Sequence, residues 1–524
     1  MSAGTLILRA DASAFIGTGH VMRCLALAQA WRDSTKELRG NCVFAMAHPL
    51  PALEHRLRSE GFDVIAVSAL PGGSEDAAQL TELARKRDAR WVVVDGYQFD
   101  AEYHRTLKDA GKKVLLVDDH GRTGAYFADL VLDQNLGTDE TLYIRRESYT
   151  KPLLGPRHAM LRREFRPWRK YKREIASRGR NILITMGGSD PKGLTQRAIR
   201  ALDFLHDEEW RATVVVGASY QHLPKLRELA ERFEGRVRLE VDPGNMAELM
   251  AGADVAVSSA GSTCWEMCMV GLPAIVIGAA DNQVPIATEL ARRQISLHIP
   301  LAQATPDHIA GSLQSFIESA DLRKQMSERG QSLVDGYGAD RVVAAMLARS
   351  MVMRPVEAGD CRMLWEWVND RTVRQVSFSS AAIAWEEHGR WFSEKLHDPT
   401  CLFLVFEDDG SPAGTARIQC TTAIDAEISI TIAPQYRGRG LAPHLIEQAI
   451  DRAFANFATR RVHALVKPDN LTSSKSFESS GFFLVGTTTV KTCEALHYIR
   501  EREESLRSQP TSYPDRASDL VRCR

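Results

Sequence analysis

Short apolar runs of strand length alternate with charged, helix-spaced stretches through most of this chain, and the alternation starts twice. The first series runs through residues 5–8, 42–47, 63–68, 91–95 and 114–118. The second begins at 181–186 and continues at 212–216, 237–241, 255–258 and 274–277. Each connection between successive strands carries a helix, so the strands cannot close as hairpins and instead form parallel sheets with crossover helices. At 524 residues the chain is too long for one core and, at roughly 100–200 residues per domain, holds about three. The basic segment 162–180 reads as a connection between the two series, with a solvated face. Helices within 306–351 close the second series, and the last is placed to cross back toward the first.

The first strand leads into the tightest local constraint. Gly17 and Gly19 punctuate the turn after it, and Val21, Cys24, Leu25, Leu27 and Ala28 then recur at helical spacing. His20 falls in the first turn of that helix, where backbone N–H groups point outward and the dipole is positive. Such an end can hold a phosphate oxygen, and a histidine beside it is placed to act as a general base. A loop histidine that merely caps the turn fits the same spacing. Tyr97, after Asp95 and Gly96, and the run Asp118, Asp119, His120 sit just past strand ends, where open α/β sheets place ligands. The acids equally suit turns or helix caps. Three adjacent residues on a turn rarely converge on one ion, so no metal is expected.

The second series carries matching corners. Gly187 and Gly188, followed by Ser189 and Asp190, make a glycine turn at a strand end, and two such corners facing each other could grip a pyrophosphate through main-chain N–H groups. Residues 258–266 end a strand with small residues, Ser262 among them, and start a helix bearing Glu266. A carboxylate there can accept both hydroxyls of a ribose, or simply favour the helix dipole. Asn282 and Gln283 follow the next strand.

Residues 9–28, RADASAFIGTGHVMRCLALA, resemble the opening motif of the UDP-sugar hydrolase family of pseudaminic acid biosynthesis. The likeness continues through Val117 to Asp119, residues 158–165, 186–191 and 258–266, over roughly the first 350 residues. The resemblance implies an α/β architecture of two Rossmann-like domains, glycosyltransferase-B-like, at 1–160 and 161–350. It implies His20 as the base that activates water, with inversion at the anomeric carbon. It also implies a substrate site drawn from Arg9, Asp11, Gly17, Gly19, Tyr97, Gly187, Gly188, Ser262, Glu266, Asn282 and Gln283, with Glu266 on the ribose. The implied substrate is UDP-2,4-diacetamido-2,4,6-trideoxy-β-L-altropyranose. A glycosyltransferase that passes the sugar to an acceptor, and a non-catalytic nucleotide-sugar-binding regulator, are the competing readings.

From about residue 352 the pattern changes, with tryptophans at 365, 367, 385 and 391. Residues 402–407 and 413–419 flank a turn and read as a hairpin. A further strand, 427–433, feeds Gln435, Tyr436, Arg437, Gly438, Arg439, Gly440, Leu441 and Ala442, then a helix over 443–457. This Gln-x-x-Gly-x-Gly between strand and helix resembles the acetyl-CoA pyrophosphate loop of the GNAT N-acetyltransferase superfamily, whose glycines let backbone N–H groups approach phosphates. Asn470 and Ser473, ahead of Phe477, Gly481 and Phe482, resemble the next motif of that family. The resemblance implies an α+β acetyltransferase domain over 351–504, with acetyl-CoA as cosubstrate held by Ile432, Gln435, Arg437, Gly438, Arg439, Gly440, Leu441, Ala442, Asn470 and Ser473. Many relatives carry a tyrosine where Phe477 stands, and phenylalanine cannot donate a proton. Tyr498 is a candidate acid and Glu427 a candidate base, although Glu427 also suits an ordinary solvent-facing strand position.

The 66 basic and 67 acidic residues nearly cancel, so no global field favours nucleic acid or an anionic membrane. No uncharged apolar run approaches ~18 residues. Nine scattered cysteines read as reduced thiols, and with no secretory signal evident the expected location is the cytoplasm. The tail 505–524 has no apolar period and reads as disordered.

Overall fold

The computed structural model describes residues 4–13, 16–34, 40–47, 49–188, 190–206, 209–217 and 220–502. The tail beyond 504 and Ser189 lie outside the described residues. The chain divides into two compact units, Met1–Arg349 and Ser350–Arg524.

The first unit holds two parallel sheets. Strands β1 (Thr5–Ala10), β2 (Asn41–Met46), β3 (Asp63–Ala66), β4 (Ala89–Asp95), β5 (Lys113–Val117), β6 (Leu130–Asp133) and β7 (Lys151–Leu154) form the first, in the order β3-β2-β1-β4-β5-β6-β7. Strands β8 (Asn181–Thr185), β9 (Arg211–Val216), β10 (Val237–Val241), β11 (Val255–Ser259), β12 (Ala274–Ile277) and β13 (Ser296–Ile299) form the second, in the order β10-β9-β8-β11-β12-β13. Helices cover both faces, so the central strands are apolar runs rather than alternations. Val92, Val93 and Val94 are fully buried, each contributing roughly 1.5–3 kcal/mol of hydrophobic stabilisation. In both sheets the strand order reverses beside the first strand of its series, between β1 and β4 and between β8 and β11. Open α/β sheets form their ligand crevice at that point, and the glycine corners follow β1 and β8.

The helix Gly19–Ser34 is buried almost all round. It lies between its own sheet and the connecting segment, whose Arg163 backbone N–H donates to Gln29 Oε1 at 2.7 Å. Lys170, Lys172, Glu174, Arg178 and Arg180 give that segment the solvated face expected of residues 162–180, while its other arginines make contacts. Arg163 and Arg166 pair with Asp33, and Arg166 and Arg169 with Asp340. Arg173 donates to the carbonyls of Met250, Ala253 and Val270. Its arginines therefore tie together elements from both sheets. The helix Gly338–Ser350 does cross back: Arg341 Nη1 donates to the Arg157 carbonyl at 2.7 Å, and a Cβ on Gly338 would sit 2.2 Å from the Ala159 carbonyl oxygen.

The second unit is one mixed sheet of β14 (Val352–Pro355), β15 (Cys401–Asp408), β16 (Ser411–Cys420), β17 (Asp425–Ile432), β18 (Arg461–Val466), β19 (Phe483–Val490) and β20 (Cys493–Glu501), ordered β14-β15-β16-β17-β18-β20-β19. The β15–β16 turn places Asp409 (φ 51°) and Gly410 (φ 74°) in the left-handed region, as a two-residue hairpin whose twist matches its strands requires. One face carries the helix Ala442–Asn456, whose Leu445 lies beside Gly414. The other carries the helix Trp385–Leu396, through Trp391 and Phe392 against Phe403 and Lys395 on Gln419. Only β17 and β18 run parallel, and they pair over just Asp425–Glu427 with Arg461–His463. Beyond that they part, leaving a wedge between them.

Candidate functional site

His20 opens the helix after β1, and Asp95 ends β4, the neighbouring strand across the order reversal. His20 Nδ1 and Asp95 Oδ1 are 2.6 Å apart. Asp95 is fully buried and held from the other side by Arg23, one helical turn beyond His20, through Nε to Oδ2 and Nη2 to Oδ1, both at 2.7 Å. Burial works to raise the Asp95 carboxyl, but the charges and hydrogen bonds of Arg23 and His20 outweigh it and hold Asp95 below the usual carboxylate range. A short contact to an ionised carboxylate needs a proton between the two atoms. Arg23 Nη2 also comes within 3.2 Å of Nδ1, yet Arg23 has only donors. Nδ1 therefore carries a hydrogen toward Asp95, so that in the neutral ring the lone pair is on Nε2, facing away from Asp95. That is the tautomer a general base uses.

Tyr97 stands edge-on to the His20 ring, with centroids 5.0 Å apart. Its hydroxyl donates to Asp119 Oδ2 at 2.8 Å and accepts from Asn282 Nδ2 at 2.7 Å. Asp119 is fixed by Arg23 and by Asn135 Nδ2 at 2.8 Å. Burial and the Asp119 charge push the Tyr97 hydroxyl well above its ordinary value, so it stays a donor. The bond to Asn282 joins the two sheets' loops, because Asn282 lies in the 3-10 turn Asp281–Gln283 after β12. The glycine corners meet as well. A Cβ on Gly188 would lie 2.7 Å from Thr18 Oγ1, so the backbone after β8 approaches the turn after β1 as closely as only glycine allows. Gly17 (φ 75°) and Gly187 (φ 82°) both sit in the left-handed region, and Gly19 faces open space.

Glu266 lies in the first turn of the helix Thr263–Val270, with Ser262 at its N-cap. Arg162 donates to Glu266 Oε1 from Nε at 3.2 Å and from Nη2 at 2.9 Å, leaving Oε2 to accept from a ligand. Gln283 Oε1 accepts from the Ala279 backbone at 3.0 Å, so this residue shapes the end of β12 as well as lining the corner. Arg9 is placed elsewhere than expected. It is fully buried, paired with Asp76 at 3.0 Å and Asp11 at 2.6 Å, and so has no surface to offer a substrate. Asp11, nearly buried, accepts from Ala47 N and Gln98 Nε2. Arg9 and Asp11 brace the end of β1 from beneath. Beside Tyr97, a cavity of about 390 Å³ opens at the ends of β4 and β5, lined by Phe99, Asp118 and Arg122 among others.

In the second unit, Gly438 (φ 75°) and Gly440 (φ 69°) shape the loop that enters the helix Ala442–Asn456, with Leu441 buried beneath it. Arg439 Nη2 donates to the Gln435 carbonyl at 2.7 Å. Arg437 is turned back: it donates to the Ile432 carbonyl at 3.0 Å, to Asp370 at 2.8 Å and to Thr372 at 2.7 Å. Asn470 caps the helix Leu471–Ser479 by accepting from Ser473 N at 3.2 Å. Phe477 is buried against Phe482, and the Tyr498 hydroxyl donates to Glu478 at 3.1 Å. Ile432 ends β17 at the mouth of the wedge, while Glu427 sits at its apex beside His463.

Residues 350–483 match the acetyltransferase (GNAT) domain family, and residues 182–336 match the glycosyltransferase family 28 C-terminal domain. The chain is a fusion of these two kinds of domain. An uncharacterized Methanocaldococcus jannaschii protein is 23% identical over 90% of this chain and 95% of its own length. The UDP-2,4-diacetamido-2,4,6-trideoxy-beta-L-altropyranose hydrolase of Campylobacter jejuni is 24% identical over 55% of this chain and 96% of that protein. The spermidine N(1)-acetyltransferase of Escherichia coli strain K12 is 27% identical over 26% of this chain and 76% of that one. The first unit thus holds two Rossmann-like domains, the second of which resembles a glycosyltransferase domain, and the second unit is GNAT-like. No helix among the described residues is long and apolar enough to cross a membrane.

The sequence pointed to His20, Tyr97 and Asn282, which the fold brings together. It missed Asp95, Arg23 and Asp119 as their partners. Arg23 follows His20 by one helical turn, and Asp95 and Asp119 both end strands, which is the signal that could have joined them.

Proposed function

We propose that the fusion performs two consecutive steps on one nucleotide sugar of nonulosonic acid biosynthesis. The acetyltransferase half N-acetylates the 4-amino group of a UDP-4-amino-4,6-dideoxy sugar with acetyl-CoA. The first half then hydrolyses the resulting UDP-2,4-diacetamido-2,4,6-trideoxy-β-L-altropyranose. The observation that carries this reading is His20 held by Asp95 with its Nε2 lone pair free, at a crevice where glycine corners from two sheets meet. Nε2 takes a proton from water as the water oxygen attacks the anomeric carbon from the face opposite the nucleotide. The C1–O bond to phosphate breaks with its electron pair passing to UDP, and configuration inverts. The imidazolium so formed rests against Asp95. Main-chain N–H groups in the first turn of the helix Gly19–Ser34 stabilise the departing pyrophosphate, and Glu266 Oε2 accepts from the ribose. In the second half, the wedge between β17 and β18 takes the pantetheine arm, and the Gly438–Gly440 loop offers N–H groups to its pyrophosphate.

The test mixes full-length protein with acetyl-CoA and the UDP-linked 4-amino sugar and follows products by mass spectrometry and NMR. Wild type should yield free diacetamido sugar and UDP. His20→Asn should stop at the acetylated UDP sugar, with hydrolysis reduced ~10² to 10⁴-fold and UDP affinity kept. The match of residues 182–336 to a glycosyltransferase domain favours one second reading, transfer of the sugar to an acceptor. Sugar transfer exceeding UDP release in the presence of candidate acceptors would select it.

A further inference from the structure

The acceptor side of the acetyltransferase sheet carries a cluster that the reading so far does not use. Asp425 and Glu427 on β17, His463 on β18 and His497 on β20 all point to the face that packs on the helix Trp385–Leu396. His463 Nδ1 lies 2.9 Å from His497 Nε2, and His463 Nε2 lies 3.1 Å from Asp425 Oδ1. Asp425 is further fixed by Arg461 Nε at 2.8 Å and Thr422 Oγ1 at 2.8 Å. Three groups are thus strung in a line: carboxylate, imidazole, imidazole. The line lies beside Glu427, at the apex where β17 and β18 stop pairing. Among the described residues these side chains do not converge as a metal site, and none donates to or accepts from His497 Nδ1.

We propose that His497, His463 and Asp425 form a proton relay that accepts the proton of the amine to be acetylated, with His497 Nδ1 as the receiving atom. This deepens the acetyltransferase reading and rests on it. An amine reaches the enzyme mainly as ammonium and cannot attack until it loses a proton. With Asp425 accepting from His463 Nε2–H and His463 Nδ1 accepting from His497 Nε2–H, the outer nitrogen of His497 holds a lone pair. When the ammonium gives its proton to that nitrogen, the Nε2 proton of His497 moves to His463 Nδ1, and the positive charge comes to rest against Asp425. The neutral amine then forms the C–N bond to the thioester carbonyl carbon as the C–S bond breaks. The second amine proton ends on the departing sulfur, giving CoA thiol and amide, and the relay returns its proton to solvent.

The surroundings support this order. Burial and the facing His463 hold the His497 imidazolium below its ordinary range, against the opposite pull of Glu427, so His497 begins as a free base near neutral pH. Hydrogen bonds from Arg461, His463 and Thr422 hold the Asp425 carboxyl well below the carboxylate range, so it is a permanent anion at the inner end. The other charged groups bearing on the line are Glu501, paired opposite Arg461 on β20, and Lys395 with Asp398, which reach Gln419 opposite Glu427. Glu427 is left to attract the ammonium, and His463 and Asp425 are positioning residues that act through His497.

The test measures initial rates of CoA thiol release from pH 5.5 to 9.5, using full-length wild type, His497→Gln, His463→Gln and Asp425→Asn with the UDP-linked 4-amino sugar and, separately, spermidine. For His497→Gln, kcat/KM should fall about 10²-fold at pH 7 and recover most of the loss by pH 9.5, where solvent deprotonates the amine. His463→Gln and Asp425→Asn should move the acidic limb upward with smaller losses. Acetyl-CoA affinity should stay at the wild-type value in all three, and the melting temperature in His497→Gln. A His497→Gln profile that overlays wild type, or a loss equal at every pH, overturns the relay while leaving the acetyltransferase reading intact. A wild type that releases no CoA thiol with either amine overturns the amine reading itself, and the relay with it.

Discussion

At the scale of single residues, Asp95 has two jobs, and one substitution separates them. It fixes the His20 tautomer, and it is the buried counter-ion of Arg23. Asp95→Asn should therefore reduce hydrolysis by at least as much as His20→Asn, since an amide can present its N–H to Nδ1 and leave the proton on the wrong nitrogen. It should also lower stability by about 1–3 kcal/mol, because Arg23 loses a fully desolvated partner while keeping Asp119. His20→Asn, at a helix start near the surface of the crevice, should alter stability by less than about 1 kcal/mol. Urea unfolding of the two variants beside their turnover numbers checks this; equal stability losses would remove Asp95 as an ion-pair anchor. His20 was legible in the sequence because its glycine turn and helix are local. Asp95 was present there only as a strand-ending acid, since its pairing spans 75 positions and depends on which strand lies next to β1.

At the scale of elements, the crevice is held by a strap of arginines rather than by sheet contacts alone. Arg162 orients Glu266 by two hydrogen bonds and also pairs with Glu164. Burial works against the Arg162 charge, but Glu266 and Glu164 more than offset it. Arg162→Met should leave Glu266 free to swing and weaken UDP binding about tenfold, equivalent to ~1.4 kcal/mol, with smaller effect on the turnover number. Titration calorimetry with UDP measures it, and an unchanged affinity would mean Glu266 needs no support. Gly188→Ala probes the meeting of the corners: its Cβ would press on Thr18, so it should cost about 1–3 kcal/mol of stability and reduce hydrolysis, while Gly19→Ala, facing open space, should do neither to that extent. Strands such as β4 and β8 were legible because both faces are buried and their apolar runs are unbroken. β7 and β13, Lys151–Leu154 and Ser296–Ile299, carry proline, lysine, serine or histidine within four residues, and edge or near-edge placement lets them. The strap's ion pairs were not legible for a related reason: arginines announce charge in sequence, but their partners, Asp33, Asp340 and Glu266, lie 104 to 174 positions away.

At the scale of the whole molecule, the two compact units should respond differently to acid. In the first unit, burial pulls His104 and His158 down to about 4, with Arg157 adding to the effect at His158. Above pH 6.5 both are neutral whether folded or unfolded and contribute nothing to pH dependence. As pH falls from 6.5 to about 4 the unfolded chain takes up protons that the folded chain refuses, so stability falls over that window and levels off below it. Each histidine accounts for on the order of 3 kcal/mol at most. In residues 350–502 the downward shifts at His388 and His497 are smaller, and the strongly held Asp398 and Asp425 yield only at lower pH. Urea-dependent hydrogen exchange on the intact chain, read by mass spectrometry and corrected for intrinsic rates, should show β4 and β5 losing protection between pH 6.5 and 4 well before β16 and β17. Among the described residues neither ring nitrogen of His104 has a hydrogen-bond partner, so an apolar side chain of similar size forfeits no hydrogen bond there. His104→Leu should keep wild-type stability at pH 7 and remove about half of the acid sensitivity of the first unit. If His104→Leu instead unfolds at neutral pH, the ring is making an interaction that its buried, unpartnered nitrogens do not disclose, and the acid response must be assigned to His158 and the helix Gly338–Ser350 that packs beside it.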